Sequence, residues 1–214
     1  MPNSDFTNLF SEPNRFDIID NLSLETVKLD DVKIENPDFI KLDVQGGELK
    51  VLEGSINKLE KCFGVEVEVE FFPIYFDQPL FSDVVDFLKK KDLVFIDFIN
   101  LVRWERDNSY SSLGQCTFGD ALFLKSPESI IYSQTLNSQT LSRYLAILFI
   151  YNRFDLIQTV SEKIDKKFYE SFSFFFEKSK NIRKRQKYSV KLNVFFNRIL
   201  KLIFGISYKS HLTY

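Results

Sequence analysis

The chain's 214 residues are 44% hydrophobic and rich above all in Phe, which is enough apolar material for one or two compact units with a real core. A net charge of −2 hides an asymmetry: residues 178–214 carry ten Lys/Arg and no Asp/Glu, so the residues before them hold 18 basic and 30 acidic side chains. An acidic body speaks against a nucleic-acid-binding core and leaves the basic end as a separate element.

Residues 1–31 read as irregular, with Pro2, Asn3, Ser4, Pro13 and Asn14 as turn formers, and they close on a short half-buried strand at Glu25–Leu29. Asp38–Asp43 is an apolar run that suits a central parallel strand. Gly46-Gly47 permits a sharp turn, and Glu48 favours the first turn of a helix. Leu49, Leu52, Ile56 and Leu59 then recur at helical spacing over about four turns. Gly64–Phe72 alternates strictly, with Val65, Val67, Val69 and Phe71 on one face and Glu66, Glu68 and Glu70 on the other. Pro73 and Tyr75 end that strand, and a helix is expected over Leu80–Lys91. Two strands follow, Leu93–Leu101 and Thr117–Lys125, joined by a polar loop with Arg103, Trp104, Arg106 and Gly114. The order β-α-β-α-β-β predicts an α/β sheet that ends in an antiparallel hairpin.

Beyond Pro127 the pattern turns helical. Leu141, Tyr144, Leu145 and Leu148, then Leu156, Ile157, Val160 and Ile164, predict two helices turning near Asn152-Arg153. In the basic end, Leu192, Phe195, Phe196, Ile199, Ile203 and Ile206 share one side of a helix, with Lys187, Lys191, Arg198 and Lys201 nearly opposite. That basic amphipathic pattern suits an anionic membrane surface, a partner's groove, or the chain's own helical hairpin with its Phe172, Phe174, Phe175 and Phe176.

Cys62 and Cys116 stand apart without metal-ligand spacing, so neither a disulfide framework nor a metal site is expected. The single histidine, His211, rules out a buried His base or a His-rich metal centre. The polar opening has no basic n-region and no apolar run reaches 18 residues, so the cytoplasm is the expected location, with peripheral membrane contact through the basic end as an addition.

Three stretches carry a family likeness: IKLDVQGGELKVLEGS, GVEVEVEFFPIYFDQPLF and GQCTFGDALFLK. With the lead-in segments NSDFTNLFSEPN and ETVKLDDV, the chain resembles the FkbM family of S-adenosylmethionine-dependent methyltransferases over roughly Asn3–Lys125. The resemblance implies a seven-stranded, Rossmann-like α/β sheet and methyl transfer to hydroxyl groups, often of sugars or secondary metabolites. In that fold the cofactor rests on a glycine-rich turn after the first strand, and an acid ending the second strand holds its ribose. No glycine precedes Gly46. The resemblance therefore implies a truncated domain over 1–126, then a helical hairpin over 127–178 and a basic tail over 179–214. Such a fragment is expected to bind S-adenosylmethionine poorly and to be inactive alone.

The site residues follow from the same alignment of motifs. Asp43, ending its strand, is read as a catalytic or cofactor contact, with a turn cap as the simpler role. Gly46 and Glu48 join it on the cofactor side, where a structural glycine and a helix-dipole partner are the simpler roles. Glu70, nearest the carboxyl end of its strand, is the candidate general base for an acceptor hydroxyl. Glu66 and Glu68 read rather as solvated or ion-paired. Phe72, Tyr75 and Gln78 would form one substrate-side loop, and Arg103 and Trp104 another. The expected partner is a small-molecule or glycan hydroxyl acceptor, with a complementing chain or a second copy at an uncovered sheet edge as a further possibility. The competing reading is a non-catalytic interaction module that uses the helical hairpin and basic tail.

Overall fold

Val65, Val67 and Val69 are fully buried, and on the opposite face Glu66, Glu68 and Glu70 are buried as well. A strand covered on both faces belongs in the middle of a sheet. A computed structural model describes residues 1–107, 113–133, 137–164, 169–170 and 177 of this protein. Its four strands are β1 (Phe39–Leu42), β2 (Gly64–Glu70), β3 (Leu93–Trp104) and β4 (Gln115–Lys125). They lie in the order β1-β2-β4-β3. β1 runs parallel to β2, while β4 is antiparallel to both β2 and β3. The α/β order and the closing hairpin are as the sequence predicts. β1, whose apolar run suits a central strand, is an edge strand among the described residues, which carry four strands.

One face of the sheet is apolar and carries helices. Ile40, Leu42, Val65, Val67, Val69, Ala121 and Phe123 pack with Leu52, Leu59, Val84 and Leu88 into one core cluster. Those last four residues come from α2 (Glu48–Glu53), α3 (Ile56–Lys61) and α4 (Phe81–Lys89). The continuous four-turn helix expected after Gly47 is broken at Gly54-Ser55. The cause is Asp30, whose carboxylate accepts from the Asn57 and Lys58 N–H groups (3.0 and 3.1 Å) and so caps a second start.

Before β1 the chain departs further from expectation. No strand forms at Glu25–Leu29. Leu22, Leu24 and Val27 are exposed there, and a single 3-10 turn covers Leu29–Asp31. An isolated strand without a neighbour has nothing to stabilise it. The opening residues are more ordered than their composition suggests, with α1 at Ser4–Thr7 and a 3-10 turn at Pro13–Phe16.

The described chain divides into two compact units, the first ending at Ile147 and the second beginning at Leu148. In the first, α5 (Pro127–Ile131) starts on a Ser126 side-chain cap, and Tyr144 of α6 (Ser138–Ile150) donates to the Lys125 carbonyl at 2.7 Å. In the second, Leu148, Ile157 and Val160 are buried, and α7 (Phe154–Ile164) follows a turn through Asn152 in the left-handed region (φ 56°). Both helices and their turn stand where the apolar spacing put them. The basic amphipathic pattern and the run of Phe172, Phe174, Phe175 and Phe176 lie outside the described residues.

Candidate functional site

The carboxyl ends of β1 and β2 bring four carboxyl groups together. β1 ends at Leu42, so Asp43 projects from the strand's end, and the chain then turns through Gln45 (φ 56°) and Gly46 (φ 99°) into α2. Glu48, in the first turn of α2, folds back: its Oε1 accepts from Val44 N (2.8 Å) and its Oε2 from Gly46 N (2.9 Å). Glu48 is thus buried as the clamp of the turn, in addition to any cleft role. Gly46 is needed here on two counts. Its φ favours glycine, and a Cβ would stand 2.9 Å from both Gln78 Nε2 and Tyr75 Cδ2.

Gln45 closes the cluster. Its Nε2 donates to Asp43 Oδ1 (2.9 Å) and to Glu68 Oε2 (2.7 Å), so one amide holds two carboxylates side by side. Asp43, Glu48 and Glu68 each place one carboxylate oxygen within 4.8 Å of the others. Three such groups could hold a hard cation, yet the Gln45 amide and the two backbone N–H groups already donate to four of their oxygens. The arrangement is a hydrogen-bonded acid cluster.

Two residues further along β2, Glu70 is 4% exposed. Burial first, then Glu48 and Glu68, push its carboxyl up to about 8, partly offset by the side chain of Gln78. Glu68 rises to about 7, again through burial first and then Asp43 and Glu48. Gln78 is itself buried, and its Oε1 accepts from Tyr75 N (3.0 Å). That bond turns Nε2 toward Glu70, near enough to favour the carboxylate but short of a well-formed hydrogen bond. The Tyr75 hydroxyl is raised by burial and then by Glu70, Glu68 and Glu48, which places it at the same cluster.

The remaining acid of the strand has another fate. Glu66 pairs with Lys41 on β1, which also reaches Asp120 of β4 at 3.8 Å. Glu66 is therefore ion-paired, as one of its expected roles had it, while Glu68 belongs to the site. Both are buried, so the exposure expected for this face is not found.

The structure thus brings together Asp43, Gly46, Glu48, Glu70, Tyr75 and Gln78. It does not bring the other three expected residues to the acids. Phe72 stacks on Phe6 (5.2 Å, 12° between planes). Trp104 sits at the end of β3, packed by Phe10, Phe16 and Phe118, with the Arg15 guanidinium over its ring at 5.2 Å. Arg103, beside it, is exposed and lies on β3, which β4 separates from β2. Gln45 escaped the sequence reading, and Glu68 reads there as solvated or ion-paired. The strict alternation of Gly64–Phe72 placed Glu68 beside Glu70, but nothing local announces the left-handed Gln45.

A cleft of about 780 Å³ opens at the other end of the strands, among Asp38, Lys61, Phe63, Lys125 and Arg143. Asp38 and Arg143 pair across it at 2.9 Å. Open α/β sheets, however, bind ligands at the carboxyl ends of their strands, where the acids stand. Lys41, the cation nearest in charge to Asp43, is committed to Glu66 and Asp120, and the groups that shift Glu68 and Glu70 are mainly carboxyls. Such a donor set fits a positively charged group, such as the ammonium and sulfonium of S-adenosylmethionine.

Comparison with known proteins agrees with the resemblance. Residues 2–95 match the methyltransferase FkbM domain. No curated protein and no solved structure matches the chain. The match contains every residue of the acid cluster and stops short of GQCTFGDALFLK, the third stretch of the likeness. The likeness to the methyltransferase FkbM domain thus covers residues 2–95.

Proposed function

We propose that the acid cluster is the acceptor side of a methyltransferase site, with S-adenosylmethionine as donor and a hydroxyl of a sugar or related small metabolite as acceptor. The observation that carries this reading is Glu70: a buried carboxyl at the carboxyl end of β2, inside the family-matched segment, held near neutrality of charge and flanked by Gln78 and Tyr75. When bound, S-adenosylmethionine supplies an electrophilic methyl on a sulfonium. Asp43, steadied by Gln45, would hold the cofactor's cationic amino-acid end. Glu70 takes the acceptor hydroxyl's proton, and Gln78 Nε2 orients its oxygen. A positively charged group arriving at Glu48 and Glu68 would lower the affinity of Glu70 for its own proton, which readies it as base.

The described residues offer no glycine-rich turn or ribose acceptor for the nucleoside end. The 214 residues by themselves are thus expected to bind the cofactor weakly, and a complementing chain would strengthen the grip. A test suited to weak binding is carboxyl ¹³C NMR of the full chain titrated with S-adenosylmethionine, beside tritiated methyl transfer to a panel of sugars. Asp43, Glu48 and Glu68 should shift with a common binding curve. Any transfer should fall by about 10²-fold or more in Glu70→Gln while the shifts persist. Unmoved carboxyl signals at millimolar cofactor, with transfer unaffected in Glu70→Gln, would sink the reading. No observation in the described residues favours the interaction-module alternative.

A further inference from the structure

Residues 2–16 do more than lead into the fold. Asn3 N donates to the Ile74 carbonyl (2.8 Å), Phe76 N donates to the Met1 carbonyl (3.0 Å), and Pro2 stands opposite Tyr75 in an isolated antiparallel bridge. Phe6 lies flat on Phe72 and edge-on to Phe10 (5.1 Å), and Phe10 meets Trp104 at 5.2 Å. Ser11 N then donates to the Glu105 carbonyl (3.2 Å). Phe6, Phe10 and Ile74 form a small core of their own, with Phe16, Phe72, Tyr75, Trp104 and Phe118 packed on it. One short segment thus ties the loop after β2 to the far ends of β3 and β4.

The other side of that loop faces the acids. Tyr75 and Gln78 crowd Gly46 closely enough to leave no room for a Cβ, and Gln78 lies against Glu70. Phe118, a member of the aromatic cluster, is the β4 residue opposite Glu70 in the sheet.

We propose that residues 2–10 form a positioning strap for the acid site: by clasping Phe72–Gln78 they hold Tyr75 and Gln78 over Glu70 and keep water from it. The groups facing Glu70 are Glu48 from α2, Glu68 on its own strand, Tyr75 and Gln78 from the loop, and Phe118 from β4. None of these is basic. Burial is the first cause of the raised Glu70 carboxyl, so the element that supplies the burial governs how readily the base gives up its proton. Loosening the strap hydrates Glu70 and returns it toward the ordinary carboxylate range. The inference rests on Glu70 being the base of the site, but its readouts need no turnover, so it fails or stands separately from methyl transfer.

The test uses the full chain and the variants Phe6→Ala, Phe10→Ala and Phe6→Leu. Hydrogen exchange followed by mass spectrometry reads loop and sheet, and ¹³C-carboxyl NMR reads Glu70. In the two alanine variants, exchange over residues 72–78 should quicken at least about tenfold and Glu70 should titrate about one pH unit lower, while residues 65–69 keep their protection. Phe6→Leu, which refills most of the space, should stay close to the parent chain. Equal loosening of β2 and the loop would show ordinary core residues and overturn the proposal. So would a loosened loop with Glu70 unmoved, or a loop that stays protected in both alanine variants. Should Phe6→Ala fail to fold, Phe10→Ala alone carries the same three outcomes.

Discussion

Two thiols of identical chemistry differ here only in surroundings. Cys62 is fully buried and its Sγ donates to the Pro37 carbonyl at 3.1 Å; burial first, then Asp38, push the thiol up to about 12. Cys116 is half-buried on β4, opposite Arg103. Only the thiolate is a nucleophile. Iodoacetamide at pH 8 should therefore label Cys116 in the native chain and reach Cys62 only after unfolding, as peptide mass spectrometry would show. Fast labelling of Cys62 under native conditions would mean that the end of α3 opens freely. The same contrast explains what could be read from sequence at this scale. Asp43, Glu48 and Glu70 were legible because strand ends and first helical turns are set by local pattern. Gln45 was not. Its role depends on a left-handed backbone and on Glu68, 23 residues away, which only the folded sheet brings within reach.

Elements were legible where their stabilising partners are local, and misread where a partner is distant. The alternation of β2 and the apolar spacing of α4, α6 and α7 repeat within the element, and each stands close to its expected bounds. The helix expected from Glu48 to Leu59 is two, because Asp30 reaches across from before β1 to cap α3 at Asn57 and Lys58. A capping side chain 27 and 28 residues before the N–H groups it accepts from leaves no sequence signature. Its energetic weight can be measured. Asp30→Ala should lower stability by about 1 kcal/mol in urea denaturation, the usual cost of a lost N-cap. Asp31→Ala, next door and exposed, should change it by less than about 0.5 kcal/mol. Equal effects at the two positions would assign the loss to general charge and not to the cap.

Across the whole molecule, the buried acid face makes stability depend on pH in an uncommon direction. Most paired carboxylates stabilise a fold as pH rises, because the folded state prefers the charged form. Glu68 and Glu70 do the reverse: their ordinary value of 4.5 becomes about 7 and about 8 in the folded chain. The folded state thus holds protons that the unfolded chain has already released. The stability this contributes is complete below the ordinary carboxylate range and is lost as pH climbs through 7 and 8. Each group that the unfolded chain has ionised and the folded chain still holds protonated lowers stability by about 1.4 kcal/mol per pH unit, a slope that fades as pH passes its folded value. The urea midpoint of the parent chain should fall between pH 5 and pH 9 (roughly the span between the two forms of these acids). In Glu68→Gln/Glu70→Gln, with near-identical shape and no charge to bury, the fall should be largely abolished, leaving the variant more stable than the parent by about 2 kcal/mol or more at pH 8. A parent chain whose midpoint is flat across this range would show both acids charged and hydrated. Glu70 would then lack the dry, charge-crowded setting on which its role as a base depends.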